Sequence, residues 1–314
     1  MEKRKLGNSG LTVGRLSFGC LCMGFLQHNL SPQQGGELIM YAMDKGINLF
    51  DTAQFYQTYE HIRYAVKNGY DNLILCTKSY AYDQKMAEEA LREALQKSGK
   101  DTADIFLLHE TESIHTIRGH YEALSYYLKM KEKGYIKAVG ISTHYVSAVN
   151  SAAKMMEIDV IEPIINKNGL GIVDGTREDM ERAIAFAHDM GKGVIAMKAL
   201  GGGNLYRQAP ACYEYINSLY GIDTILTGMV RKEEIDCNAA YFEGDFRKEA
   251  FLRLSRNHKK LLIEDWCEGC GECVRRCPNH ALSLVGEKAV CDETICLTCG
   301  YCSGGCKEMA IKII

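Results

Sequence analysis

The chain has 314 residues, 46% of them hydrophobic and 25% charged, with a formal net charge of -3 at pH 7. That length suits two domains, or one large α/β domain with an appendage, and the composition is that of a soluble globular protein with a sizeable core, which excludes disordered and fibrous chains. A near-neutral balance supplies no global basic field, so neither nucleic acid nor an anionic membrane is expected as the main partner.

The first residues, MEKRKLGNSGLTVG, are charged and lack the apolar stretch and small-residue cleavage site of a signal peptide. No apolar run approaches the roughly 20 residues that span a bilayer, so a cytoplasmic location with reduced thiols is expected. The Asn8-Ser9-Gly10 turn between two short segments predicts a β-hairpin, suited to plugging a barrel floor. Eight apolar runs follow, at 15–20, 47–51, 73–78, 104–109, 136–142, 160–166, 193–198 and 223–229. Between them, helical patterns such as 86–100, 120–134 and 177–191 repeat apolar residues at three and four. Eight strand–helix units in about 250 residues predict an α/β fold, a (β/α)8 TIM barrel with an N-terminal β-hairpin. A doubly wound open sheet fits less well, because no GxGxxG follows the first strand. After residue 255 the composition changes, and RNHKK at 256–260 leads into a cysteine-rich tail. The expected domains are therefore 1–255 and 256–314.

Eight of the 14 cysteines form two runs of one spacing, Cys267-x2-Cys270-x2-Cys273-x3-Cys277 and Cys296-x2-Cys299-x2-Cys302-x3-Cys306. Three close thiolates can hold three irons of a cubane, while the fourth points to the other cluster. Cys267, Cys270, Cys273 and Cys306 are then the ligands of one [4Fe–4S] cluster, and Cys296, Cys299, Cys302 and Cys277 those of a second. A zinc ribbon is the plainer reading, but it would leave too many thiols over. The tail resembles a bacterial-type dicluster ferredoxin domain, a small α+β fold, although Lys307 stands where a proline usually follows the last cysteine. Cys291 lies outside both runs and reads as a buried apolar residue, as do Cys20 and Cys22 at the end of the first barrel strand.

Barrel active sites lie at the C-terminal strand ends. There the second strand closes on Asp51, with Tyr56 five residues later in DTAQFY, the third on Lys78 and the fourth on His109. Through DTAxxY, the strand-three TK, the LLH and the strand-seven KALGGG, residues 4–240 resemble the aldo-keto reductase family, which uses an Asp, Tyr, Lys, His set from these strands. The resemblance implies an NAD(P)H-dependent oxidoreductase that interconverts a small-molecule carbonyl and an alcohol. Carbonyl reduction needs hydride at carbon and a proton at oxygen. A free phenol, pKa about 10, holds its proton firmly. Lys78 is expected to lower that pKa, Asp51 to hold the lysine, His109 to orient the carbonyl, and Tyr56 to give the proton.

For the nucleotide, the loops after strands seven and eight of such barrels commonly cradle phosphate. The expected contacts are Lys198, Leu200, Gly201 and Gly202 from the first, and Gly228, Met229, Arg231, Glu234 and Asn238 from the second and its helix. Ser142 and Thr143 after strand five and Glu162 on strand six stand where the family holds the carboxamide, the last two departing from the usual Asn and Gln. A carboxylate at Glu234 repels a 2′-phosphate, whereas Arg231 and Lys232 attract one, and the balance leans to NADH. Hydride moves two electrons and each cluster takes one, so two further readings stay open. In one, an electron-carrier protein feeds single electrons to the barrel and the four residues do proton chemistry only. In the other, the chain is a non-catalytic electron-transfer or redox-sensing module. Arg253, Arg256, Lys259, Lys260, Arg275 and Arg276 could dock an acidic carrier, or be solvated charge.

Overall fold

The computed structural model describes residues 1–246, 250–251, 254 and 259–314. The expected domain boundary at 255–256 and the residues Arg253 and Arg256 lie outside the described residues. Eight parallel strands close into a barrel: β3 (Leu16–Gly19), β4 (Leu49–Asp51), β5 (Ile74–Ser79), β6 (Ala103–Leu108), β7 (Ile136–Thr143), β8 (Val160–Pro163), β9 (Gly193–Ala196) and β10 (Thr224–Gly228). Each falls within or against one of the eight apolar runs, and β10 pairs with both β9 and β3 to close the circle. These strands are buried on both faces, which is why they read as continuous apolar runs rather than alternating ones.

The barrel interior is filled by Leu49, Cys76, Ile105, Leu107, Ala138, Val160 and Ile195, together with Leu6, Leu11 and Val13 of the N-terminal hairpin. That hairpin, β1 (Lys3–Lys5) and β2 (Thr12–Gly14), pairs antiparallel. Its turn is tied to the start of β9, where the Asn8 amide donates to the Gly191 carbonyl at 2.9 Å, so it plugs the floor as the sequence predicts. Outside, α3 (Gln84–Ser98), α5 (Tyr121–Glu132) and α7 (Arg177–Asp189) realise the three helical patterns. Asp83 caps α3 by accepting from the Met86 amide, and Ala87, Ala90, Leu91 and Ala94 form its buried stripe. Thr176 and Asp179 form a capping box on α7. Among the described residues no helix is long and apolar enough to cross a membrane.

The tail is a small two-fold repeat. Strand β11 (Leu261–Ile263) pairs antiparallel with β14 (Ile311–Ile313), and β12 (Leu282–Val285) with β13 (Lys288–Cys291). A short helix, Glu272–Arg276, and a one-turn 3-10 helix, Tyr301–Gly305, occupy equivalent places in the two cysteine runs. Leu261, Leu282, Ala289, Ile311 and Ile313 make its core, and the cysteines pack on it, Cys291 beside Cys296.

The tail docks on the C-terminal rim of the barrel. The Ile313 amide donates to the Gly202 carbonyl at 3.2 Å, Asn204 Nδ2 to the Ile311 carbonyl at 3.0 Å, and Arg207 Nη2 to the Leu297 carbonyl at 3.0 Å. Met309 is 4% exposed and joins the apolar layer around the barrel. Gly203 allows a close backbone approach: its φ is +84°, and a Cβ there would lie 2.0 Å from the Ile313 carbonyl oxygen. Gly203→Ala is therefore expected to loosen this seam, raising exchange of the Ile313 amide by roughly tenfold or more in hydrogen-exchange mass spectrometry while barrel-strand amides keep their protection.

Candidate functional site

The four strand-end residues meet at the rim. Asp51 ends β4, Lys78 lies near the end of β5, His109 follows β6, and Tyr56 ends a single helical turn, Gln54–Tyr56. Lys78 is 1% exposed and its ammonium is ion-paired with Asp51 and, at 3.2 Å, with Glu162 on β8. The Tyr56 hydroxyl is 3.3 Å from His109 Nε2, and the Lys78 ammonium is 5.7 Å from the centre of the Tyr56 ring. Glu162, expected at a carboxamide, instead has its carboxylate committed to Lys78.

The electrostatics differ from expectation chiefly because the site is buried. Burial would lower the Lys78 ammonium, but Asp51 and Glu162 hold it well above its ordinary value. Burial and the charge of Asp51 raise the Glu162 carboxyl above the usual carboxylate range. Lys78 does pull the Tyr56 phenol down, yet burial outweighs it, with Asp51 and Glu162 adding to the rise, so the phenol stays above its ordinary value. Burial, Lys78 and Lys198 keep His109 neutral by depressing its imidazole well below the usual range. Tyr80, which carries no motif signal, stacks on His109 with ring centres 4.3 Å apart and gives its hydroxyl to Glu110 at 2.6 Å. With Phe55 it forms an aromatic wall beside the site.

A cavity runs from Asp51, Tyr56 and Glu162 across the mouth to the start of α9 (Lys232–Phe242). Of the expected nucleotide contacts, Glu162, Lys198, Leu200, Gly202, Gly228 and Glu234 line it. The other six lie behind the wall or away from it. Ser142 Oγ accepts from the Glu110 amide at 2.9 Å. Thr143 Oγ1 donates to the Thr111 carbonyl at 2.5 Å and accepts from the Tyr145 amide at 2.9 Å. Both hydroxyls therefore tie loops together. Met229 is in the core at 1% exposure, Asn238 is buried on α9, Gly201 gives its carbonyl to Asn204, and Arg231 is the backbone cap of α9. Glu234 caps its own helix, accepting from the Val230 amide at 2.8 Å, and faces Lys259 at 3.5 Å. The close approach that Gly202 and Gly203 permit is to β14. Lys312, Ile313 and Ile314 of the tail complete the cavity wall, and no local pattern marks them. Cys22 also reaches the wall, but its thiol donates to the Gly19 carbonyl and burial pushes it up to about 12, while Cys20 is wholly buried.

The cysteines separate into the two interlaced sets. Cys267, Cys270, Cys273 and Cys306 surround one cavity, with Gly271, Gly304 and Gly305 on its wall. Cys277, Cys296, Cys299 and Cys302 surround another, with Pro278, Ala281 and Gly300. Backbone amides point at the sulfurs, from Ala310 to Cys306 at 3.3 Å, Ala281 to Cys277 at 3.3 Å and Thr298 to Cys296 at 3.4 Å. Four thiols around a recess with amide donors suit a cluster, whose sulfurs accept such bonds. Arg275 and Arg276 both pair with Glu272 at 2.9 Å, which uses up part of the basic surface near the first set.

Residues 15–210 match the model of the aldo/keto reductase family, and residues 261–283 that of a 4Fe-4S binding domain. The chain is 25% identical over 202 residues to the "Uncharacterized oxidoreductase YqkF" of Bacillus subtilis (strain 168), covering 55% of this chain and 63% of that one. It is 27% identical over 132 residues to the "Methylglyoxal reductase DkgA" of Escherichia coli (strain K12), covering 41% and 46%. The matches thus span less than two thirds of the length of these curated relatives. Among solved structures, aldo-keto reductase AKR11C1 from Bacillus halodurans in its holo form superposes with a TM-score of 0.65 at 19% identity, covering 81% of this chain and 96% of that chain, which shows the shared barrel. With the family model extending over more than half of its residues, this chain belongs to the aldo/keto reductase family and carries a 4Fe-4S binding domain after its barrel.

Proposed function

We propose that this chain interconverts a carbonyl and an alcohol, with Tyr56 as the proton donor to oxygen in the reducing direction. The observation that carries this reading is the Tyr56 hydroxyl, 3.3 Å from a neutral His109 and beside the buried Lys78 ammonium. A nicotinamide dinucleotide, when bound, supplies the hydride. Lys198, Leu200, Gly202, Gly228 and Glu234 are the residues that would hold it, since they line the cavity that Tyr56 lines. The Glu234 carboxylate at the start of α9 favours a free ribose diol over a 2′-phosphate, hence NADH.

The proton chemistry follows from the residues. A phenol kept above its ordinary value stays protonated at neutral pH and gives its proton only as negative charge develops on the carbonyl oxygen. His109, uncharged, orients that oxygen without competing for the proton. Lys78 provides positive charge near the oxygen, and Asp51 and Glu162 fix its position in a site where its attraction is little screened. Tyr80, stacked on His109, helps to hold that ring in place.

In the tail, Cys267, Cys270, Cys273 and Cys306 would hold one [4Fe–4S] cluster and Cys277, Cys296, Cys299 and Cys302 another. Such clusters pass single electrons. Thiols kept for this purpose suit a reducing, cytoplasmic setting. The packing of the tail directly on the catalytic rim supports a second reading, in which an electron-carrier protein delivers reducing equivalents singly through the tail and Tyr56, Lys78, Asp51 and His109 move protons only.

Anaerobic titration with NADH, following nicotinamide fluorescence and cluster absorbance, separates the two. The first reading expects binding without bleaching of the clusters and turnover of a model aldehyde. Conversion driven only by viologen-reduced protein supports the second. Tyr56→Phe is expected to lower kcat roughly 10²–10⁴-fold. Glu162→Gln removes a negative charge that raises the phenol, so the phenol pKa falls and the pH at which reduction is lost should move down in the kcat profile. Cys306→Ser is expected to lose about half of the bound iron while the Cys277 set keeps its cluster; unchanged iron content would count against the interlaced assignment.

A further inference from the structure

The barrel mouth holds two ammonium groups for which this proton chemistry has no use. Lys198, just after β9, has a φ of +57°, a left-handed backbone that a residue with a side chain rarely adopts. Its Nζ lies 2.6 Å from His144 Nε2. His144 is itself uncharged at neutral pH, because burial and the nearby Lys198 and Lys312 depress it well below its ordinary value. It can therefore accept from Lys198 and hold it in place.

The second ammonium comes from the other domain. Lys312 on β14 is 4% exposed, and its Nζ donates to the Met309 carbonyl at 2.5 Å. Gly202 makes room for it: a Cβ there would lie 3.0 Å from Lys312 Cδ and 3.7 Å from Nζ. Both lysines line the cavity that Tyr56 and Glu162 line.

Neither lysine has a carboxylate within 4 Å among the described residues. Glu110 and Glu162 act on Lys198 from farther away; Glu264, the Cys306 thiol and Glu110 act on Lys312, whose ammonium also lies 5.9 Å from the centre of the Trp266 ring. Burial, with Lys312 adding to it, lowers the Lys198 ammonium to about 7. Lys198 is thus partly uncharged at neutral pH, and an anion entering the cavity would favour the charged form of both amines, which have no carboxylate in ion-pair reach among the described residues. Each also has N–H donors left over, since an ammonium carries three.

We propose that Lys198 and Lys312 form an oxyanion site shared between barrel and tail, which takes a carboxylate or phosphate group of a ligand bound in the barrel mouth. This rests on the proposed reaction in placing substrate and nucleotide in that cavity. The oxyanion has two possible sources, the carboxylate of a 2-oxo acid substrate or the pyrophosphate of the dinucleotide. The site exists only while the tail is docked, since Lys312 is part of the tail.

The test uses the full chain, purified anaerobically with its clusters, and inorganic pyrophosphate as the probe in calorimetry. Lys312→Met and Lys198→Met keep the length of the side chain and remove the charge; Lys312→Arg keeps the charge. Each Met variant is expected to weaken pyrophosphate binding about tenfold or more, and Lys312→Arg to retain most of it. Cluster absorbance serves as the check that the tail is folded. Parallel weakening of NADH binding assigns the oxyanion to the dinucleotide. Unchanged NADH binding with a lost preference for pyruvate over acetone in kcat/KM assigns it to the substrate. Equal pyrophosphate affinity in the parent chain and both Met variants, with cluster absorbance intact, overturns the site. Charge-dependent pyrophosphate binding in a chain that turns over no carbonyl would sink the proposed reaction and leave the site standing.

Discussion

Closing eight strands into a ring leaves no free sheet edge and forces the strand ends onto one small circle. The charged cluster at the barrel mouth depends on that closure. Asp51, Lys78 and Glu162 come from β4, β5 and β8, which are far apart in sequence, yet the ring brings their charges into contact. A buried ammonium is tolerable only because two carboxylates reach it, and one of them, Glu162, can take up a proton more readily than an ordinary carboxyl. The site is thus held by charges that would each be costly alone.

That arrangement changes how the phenol is tuned. A single cation beside Tyr56 would make it a readier acid, and the sequence invites that view. Burial outweighs the cation's pull, and the two carboxylates on Lys78 add to the rise. In the proposed reaction such a phenol is a donor that waits for charge to build on the substrate, which would tie proton delivery to the progress of bond formation at carbon.

Much of this was legible from the residues. The strands could be read because parallel barrel strands are continuous apolar runs, and Asp51, Tyr56, Lys78 and His109 because the end of each run marks the rim. The two cysteine runs are plain in the spacing, and two cavities each collect four of those cysteines. What the residues do not show depends on contacts between distant segments. The place of Glu162 on its strand does not tell which partner it meets, because the closure of the ring decides that. Ser142 and Thr143 satisfy buried amides and carbonyls of their own loops, a demand that no motif records. Gly202 and Gly203 approach the tail closely, and a glycine-rich loop has the same signature whether its neighbour is a nucleotide or another strand, so the sequence does not reveal that docking. Tyr80 and Lys312 stand in no recognisable pattern.

The place of β14 has one more consequence. Its three residues are at once the pairing partner of β11, part of the core beneath the cysteines, and part of the wall of the barrel cavity. A shift of β14 against β11, or a rearrangement of the cysteines packed with it, therefore also reshapes the wall of the cleft. The cysteine domain and the mouth of the barrel cannot be altered independently of each other.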